Sequence, residues 1–149
     1  MKKGYMLSTA IKIAVDAHDG QYDRGGNPYV LHVLKVMHYT KSQDEEIQCI
    51  AVLHDVVEDS TVTWSDLREA CMSERVISAV RALTKIPGQG YDEYREAVFA
   101  NRDAMIVKLA DLRHNTDIRR LKGVTIKDRE RMARYHEFAF DIQQRLQNA

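Results

Sequence analysis

The stretch of residues 49–59, Cys-Ile-Ala-Val-Leu-His-Asp-Val-Val-Glu-Asp, constrains the fold of this chain more than any other. It is apolar on nearly every side of a helix, which is typical of a helix buried in a domain interior. The same stretch carries one imidazole and three carboxylates. An uncompensated carboxylate in an apolar interior pairs with a cation, takes up a proton or binds a metal. A divalent metal is therefore the first explanation that we consider.

Helical geometry gives these polar groups distinct positions. His54 and Asp55 are adjacent, so their side chains diverge by about 100° and can contact one ion from two sides. Glu58 lies one turn after His54, and Asp59 lies one turn after Asp55. Two carboxylates are thus predicted just beyond the two candidate ligands, where they would orient or deprotonate a metal-bound water.

Length and composition predict one domain, residues 1–149, with enough apolar residues for a core. Lys plus Arg and Asp plus Glu both total 22, which gives no electrostatic reason to expect a nucleic-acid or membrane partner. No apolar segment has the length of a signal peptide or a membrane span, so we expect a cytoplasmic protein. Cys49, in the central helix, and Cys71, in another predicted helix, lack metal-site spacing and are predicted to be reduced thiols.

No segment shows sustained alternation of apolar and polar residues, so the predicted class is all-α. Gly-Gly and Asn-Pro pairs mark residues 21–28 as an irregular loop. Periodic apolar residues predict helices at 5–18, 28–37, 49–59, 73–83, 91–100, 102–121 and 126–146.

Four helix starts carry capping signals. A Ser or Thr followed three residues later by Glu or Asp is typical of a capping box, and Ser73 is a simple N-cap candidate. The predicted boxes are Ser42 with Glu45, Thr63 with Asp66, and Thr125 with Asp128.

Polar residues also interrupt two other apolar helices. His32 follows the Gly-rich loop, and Asp111 lies in the predicted helix 102–121. With His54 and Asp55 they form a set of two imidazoles and two carboxylates. Such a mixed nitrogen and oxygen set suits manganese, iron or zinc better than calcium.

The remaining candidates have two interpretations each. Arg24 and Lys108 could neutralise a substrate phosphate or pair with a carboxylate, and Tyr91 and Tyr94 could line a nucleotide pocket or belong to the core. Asn115 shares a helix face with Lys108 and Asp111. For the other histidines we favour a structural or surface role, with His18 as a local support for the loop; these are His18, His38, His114 and His136.

Four ordered motifs, HDGQ at 18–21, GNPYVLH at 26–32, LHDVVED at 53–59 and VKLADLRHN at 107–115, carry a family resemblance. The chain resembles the HD-domain metal-dependent phosphohydrolases over residues 17–121. Within them it is similar to the hydrolase domain of the RelA/SpoT family, especially the small stand-alone alarmone hydrolases.

This resemblance implies a compact, single-domain helical HD fold and a set of residue roles. The four residues of the metal set would ligate one metal, usually manganese. Glu58 and Asp59 would position or activate the hydrolytic water, and Asn115 would lie beside the nucleotide. The reaction implied is removal of pyrophosphate from the ribose 3′ position of guanosine tetra- or pentaphosphate, the alarmone of the stringent response.

The chain departs from the family pattern at several positions. Residues 23–25 read Asp-Arg-Gly where relatives commonly have consecutive basic residues. Val33 replaces a Pro, Asn27 replaces a Glu, and Ile118 lies where relatives often have a small polar residue. The acidic residue in this loop therefore leaves the identity of the substrate undetermined.

Three other functions remain as alternatives. A related enzyme would act on another phosphorylated nucleotide such as NADPH. A non-catalytic nucleotide-sensing module would keep the fold but has no evident need for Glu58 and Asp59. A purely structural helical domain would have to bury four polar residues without a ligand, which proteins seldom do.

Overall fold

The computed structural model describes residues 2–148. Within them the chain folds into nine α-helices and a short 3₁₀-helix, and the one β-type pairing is an isolated bridge between Tyr22 and Pro28. The all-α prediction is confirmed. The helices are α1 (Tyr5–Ala17), α2 (Val30–Tyr39), α3 (Glu45–Leu53), α4 (Val56–Asp59), α5 (Trp64–Glu69), α6 (Glu74–Leu83), α7 (Tyr91–Phe99), α8 (Arg102–Asn115) and α9 (Ile126–Gln147), with the 3₁₀-helix at Ile118–Arg120 between the last two.

Helix α3 lies at the centre of the fold and packs against α1, α2, α6 and α8. Cys49, Ile50, Ala51, Val52 and Leu53 are all completely buried, as the apolar pattern predicts. Burial of this helix on all sides makes it a central contributor to the hydrophobic stabilisation of the core. The two ends of the predicted 1–149 domain, residues 1 and 149, lie outside the described residues.

The central helix is not continuous through residue 59, and that part of the prediction is wrong. Helix α3 ends at Leu53, α4 begins at Val56, and His54 and Asp55 form the turn between them. His54 donates its Nδ1–H to the carbonyl of Ala51 at 2.6 Å, the acceptor that the amide of Asp55 would use in a continuous helix. The break presents both side chains to one point.

Three capping predictions are confirmed. Thr63 with Asp66 and Thr125 with Asp128 form complete capping boxes, and Ser73 accepts the amide of Val76.

The Ser42 and Glu45 box is wrong, because Asp44 is the N-cap of α3 and accepts the amide of Glu46 at 2.9 Å. The carboxylate of Glu45 instead accepts the amide of Leu7, an unpaired donor in the first turn of α1, at 3.1 Å.

Two other predicted boundaries differ from the structure. The helix predicted over 102–121 ends at Asn115, because Asp117 accepts the amide of Arg119 at 3.0 Å and begins the separate 3₁₀-helix. Cys71 is not helical but lies exposed in the turn after α5, with a φ of 66°. Cys49 and Cys71 are both free thiols.

None of the helices in the described part of the chain combines the length and apolar character needed to cross a membrane.

Candidate metal centre

Three separate elements bring the four predicted ligands to one buried point. Helix α2 provides His32, the turn between α3 and α4 provides His54 and Asp55, and α8 provides Asp111. His32 and His54 are 2% exposed and Asp111 is 4% exposed. The shortest contacts are 3.0 Å from His32 Nε2 to Asp111 Oδ1, 3.0 Å from His54 Nε2 to Asp55 Oδ2, and 3.3 Å from His54 Nε2 to Asp111 Oδ1.

These residues fit a divalent metal ion. His32, His54 and Asp55 each offer a ligand atom within 4.8 Å of the other two. Two ligands bound about 2.1 Å from one ion at right angles lie roughly 3 Å apart, which the observed contacts match. His54 Nε2 is buried yet forms no hydrogen bond with any described residue. An orphaned buried nitrogen beside two carboxylates is the arrangement that a metal ligand requires, and imidazoles favour a transition metal.

The electrostatics of the site keep both carboxylates ionised. Burial alone would raise the pKa of Asp111, but the Lys108 ammonium and the two imidazoles hold it well below its usual value. Burial likewise opposes ionisation of Asp55, but the charge of His54 lowers its pKa to about 2. Burial lowers the pKa of His54, but the two carboxylates outweigh it and raise that pKa well above its usual value. A metal must therefore displace a proton from this imidazole.

Both predicted phosphate-binding cations pair with carboxylates in the structure. Lys108 donates to Asp111 Oδ2 at 2.9 Å, and its ammonium lies 5.3 Å from the ring centroid of Tyr94. Arg24 donates to Asp128 at 3.2 Å and is largely exposed. Lys108 thus holds a metal-ligand candidate in place, whereas the exposed Arg24 side chain can leave Asp128 for another anion. Contact of either residue with a substrate stays a prediction.

Two aromatic residues orient the candidate ligands and were missed as functional residues. His114 Nδ1 lies 2.8 Å from His32 Nδ1, and the two rings stack at 5.0 Å with 15° between their planes. Tyr29 donates its hydroxyl hydrogen to Asp55 Oδ2 at 2.5 Å. His114 follows Asp111 by three residues and Tyr29 precedes His32 by three, so helical spacing was the signal that could have found both.

His18, predicted to support the loop, lies in a chain of contacts that reaches α4. Its Nδ1 is 2.8 Å from Gln21 Oε1, and Gln21 donates to the carbonyl of Asp59 at 2.8 Å.

The predicted catalytic carboxylates lie at the outer edge of the centre. Asp55, Glu58 and Asp59 offer oxygen atoms within 4.8 Å of one another, and the last two are exposed. Glu58 accepts the backbone amide of Lys85 at 2.8 Å, which fixes its carboxylate. Partial burial, followed by the charges of Asp55 and Glu58, raises the pKa of Asp59 to about 6. A carboxylate tuned upward in this way is a better proton acceptor near neutral pH.

A cavity of about 370 Å³ opens beside the centre. Tyr29 and Asn115 belong both to its wall and to the centre, since Asn115 donates to Asp111 Oδ1 at 3.0 Å. The wall also carries two carboxylates, Asp23 and Asp117. Its aromatic and cationic residues are Tyr22, Tyr29, Tyr135, Arg24, Arg120 and Arg131.

Tyr91 and Tyr94 do not line this cavity. Tyr94 is buried and donates its hydroxyl hydrogen to the carbonyl of Leu83 at 3.3 Å, and Tyr91 packs on the edge of Phe138. The core interpretation is therefore correct for Tyr94.

Comparison with known proteins places the chain among characterised families. The family model described as HD domain matches residues 10–139. The bifunctional (p)ppGpp synthase/hydrolase SpoT of Escherichia coli K12 is 32% identical over 141 residues, which cover 86% of this chain and 20% of that protein. A guanosine-3′,5′-bis(diphosphate) 3′-pyrophosphohydrolase of Haemophilus influenzae is 33% identical and is likewise covered over 20% of its length. The chain thus spans about a fifth of these curated relatives.

A solved structure agrees on the fold. It is that of a metazoan ortholog of SpoT that hydrolyses ppGpp, and it matches with a TM-score of 0.77 at 24% identity, covering 95% of this chain and 87% of that one. The fold and the centre define a helical domain built around a buried His and Asp cluster suited to a divalent metal. The chain belongs to the HD-domain family.

Proposed function

We propose that this protein is a metal-dependent hydrolase that removes the 3′-pyrophosphate of guanosine 3′,5′-bis(diphosphate), ppGpp, to give GDP and pyrophosphate, and converts pppGpp to GTP in the same way. The observation that carries the proposal is the convergence of His32, His54, Asp55 and Asp111 beside a cavity of nucleotide size. The names of the curated relatives support the substrate.

The proposed cofactor is Mn²⁺ or another divalent transition metal, held by those four residues. When bound, such an ion polarises a phosphoryl oxygen and makes water more acidic. His114 and Tyr29 keep two of the ligands oriented, and Lys108 holds Asp111. These contacts leave little freedom for the ligand side chains, so the centre is largely preorganised.

The proposed catalytic residues are Glu58 and Asp59. Water attacks the phosphorus atom that is bonded to the ribose 3′ oxygen. The bond between this phosphorus and the 3′ oxygen breaks, pyrophosphate is released, and the 3′ oxygen takes up a proton. Asp59, with its pKa raised to about 6, accepts the proton of the attacking water. Glu58, fixed by the amide of Lys85, positions the water and raises the pKa of its neighbour.

The proposed substrate contacts are Asn115 and Arg24, with Lys108 acting through Asp111. Asn115 lies in the cavity wall next to the centre, and the exposed Arg24 can turn from Asp128 to a phosphate at the mouth. The partner is then a small nucleotide, and we propose the cytoplasm as the place of action. Equal numbers of acidic and basic residues favour no nucleic-acid or membrane partner.

The test is a manganese-dependent hydrolysis assay with ppGpp and NADPH side by side, in which released pyrophosphate and phosphate are measured separately. We expect pyrophosphate and GDP from ppGpp. If phosphate is released from NADPH and no product is released from ppGpp, the proposed substrate would be NADPH and not the alarmone. No product from either, with metal bound, would contradict hydrolysis of both and favour a sensing module.

A further inference from the structure

An ion pair that joins two distant segments forms part of the cavity wall. Arg120 Nη2 donates to Asp23 Oδ2 at 3.2 Å, and the two side chains are 18% and 12% exposed. Asp23 belongs to the loop before α2, and Arg120 belongs to the 3₁₀-helix after α8. The acidic residue that departs from the family pattern is therefore neutralised by a cation from another element.

Further contacts hold both members of the pair in place. Arg120 Nη1 donates to the carbonyl of His114 at 3.2 Å and to Asn115 Oδ1 at 3.0 Å. Asp23 Oδ1 accepts the amide of Asn27 at 2.9 Å. The two backbones also meet directly, since a Cβ on Gly25 would lie 2.2 Å from the carbonyl oxygen of Arg120. The pair is thus fixed before any ligand binds.

The pair still has hydrogen-bonding capacity that the protein does not use. An ionised carboxylate has about four acceptor sites, of which contacts from Asn27 and Arg120 occupy two at Asp23, while the backbone amide of Gly25 lies against the same carboxylate. Partial burial opposes ionisation of Asp23, but the hydrogen bond from Asn27 and the Arg120 guanidinium lower its pKa. At neutral pH the carboxylate is therefore ionised, so it can accept hydrogen bonds but cannot donate them. A phosphate beside this carboxylate would be repelled, whereas a group with two adjacent N–H donors would be bound.

We infer that Asp23 is the residue that selects guanine over adenine in this cavity, by accepting hydrogen bonds from the N1–H and the 2-amino group of the base. Adenine has an acceptor at N1 and no 2-amino group, so it would face the carboxylate with a lone pair. Tyr22, Tyr29 and Tyr135 line the same cavity, and aromatic side chains can stack on either purine. The discrimination then depends on Asp23, with Arg120 acting as its positioning residue.

This inference rests on the proposed function for the identity of the substrate, but its test does not need turnover. GDP, IDP and ADP carry no 3′-pyrophosphate, and their binding to the manganese-loaded protein is measured by titration calorimetry. We expect GDP to bind roughly 10- to 100-fold more tightly than ADP, because ADP turns the N1 lone pair toward the carboxylate and offers no donor to its remaining acceptor sites. IDP, which keeps N1–H and lacks the 2-amino group, falls between them.

Asp23→Asn removes the acceptor-only group and keeps an oxygen for the amide of Asn27. The variant should bind GDP and ADP within about threefold of each other, since its amide can donate as well as accept. The matched control is Asp117→Asn, the same change in the same wall. Both oxygens of Asp117 accept hydrogen bonds from the Arg119 side chain, at 2.9 and 2.8 Å, so its loss should leave the GDP preference intact.

The outcomes separate this inference from the proposed function. Hydrolysis of ppGpp by a protein that binds GDP and ADP equally, or that binds neither at millimolar concentration, would overturn the role of Asp23 alone. Retained GDP preference in Asp23→Asn would do the same. Selective binding of GDP that is lost in Asp23→Asn, without hydrolysis of ppGpp, would uphold the role of Asp23 and reject the proposed reaction.

Discussion

Replacement of His114 by Phe tests how far the metal centre depends on a residue that is not itself a candidate metal ligand but contacts one. The variant keeps a stacked ring beside His32 but removes the acceptor at Nδ1. Burial, followed by the charge of Arg120, lowers the pKa of His114 to about 4, so its imidazole is neutral near pH 7 and can accept. An imidazole that binds metal through Nε2 carries its proton on Nδ1, and His32 must donate that proton to something.

The magnitude follows from the burial of His32, which is 2% exposed and therefore shielded from bulk solvent. A buried donor left without an acceptor costs about 1–3 kcal/mol, or roughly 5- to 150-fold in affinity. Partners of metal-binding histidines typically contribute 10- to 100-fold, which lies within that range. We therefore expect the Kd for Mn²⁺ to rise about 10- to 100-fold in His114→Phe.

Titration calorimetry with Mn²⁺ measures the change without reference to activity. His114→Asn places an amide oxygen close to the lost nitrogen, so it should recover much of the affinity. His136→Phe removes an exposed imidazole on α9 and serves as the control. An affinity in His114→Phe within threefold of the original protein, with normal thermal unfolding, would refute the reasoning.

The remaining predictions address the ligands, the catalytic pair and acid stability. Asp55→Ala should lose metal binding and activity together, because it removes a proposed metal ligand; retained stoichiometric Mn²⁺ binding would contradict this. Glu58→Ala should keep the metal and lose about 100-fold in kcat, since it frees the water and lowers the pKa of Asp59; full turnover in the metal-loaded variant would refute the assigned role. Burial opposes ionisation of Asp44, but hydrogen bonds from Arg75 and the Glu46 amide together outweigh it and lower the pKa of this carboxyl. A depressed folded pKa gives stability above pH 4 that is lost at lower pH, so Asp44→Asn should be less stable by up to about 1 kcal/mol at pH 7 and equal near pH 3 in urea titrations. A difference independent of pH would exclude the charge as its cause.

Capping signals show which parts of the fold are local. The boxes at Thr63 and Thr125 were predictable because both partners of each lie within three residues and bond to the same turn. The prediction of a box at Ser42 was wrong because the carboxylate of Glu45 accepts the amide of Leu7 in α1, a contact between distant segments that no local pattern describes. The break after Leu53 was not predicted for a related reason. The spacing of apolar residues does not show that the His54 side chain will donate a hydrogen bond to the carbonyl of Ala51.

The candidate ligands could be identified from their local surroundings in the sequence. Each of His32, His54, Asp55 and Asp111 interrupts an apolar pattern, and burial of such groups demands a partner. Their separations of 3.0–3.3 Å depend on how α2, α8 and the turn between α3 and α4 pack. The sequence could propose the set, but only packing brings its members within reach of one ion.

The sequence by itself determined the helical class, most helix starts and the polar residues that the core must accommodate, because periodicity and capping depend on near neighbours. Tertiary structure decided the contact of His114 with His32, the pairing of Lys108 with Asp111, and the cavity. It also decided that Asp23, an unexplained acidic residue in the sequence, meets Arg120 from a segment 97 residues away. The physical reason is that a hydrogen bond needs atoms about 3 Å apart, and for distant residues that distance depends on the packing of whole helices.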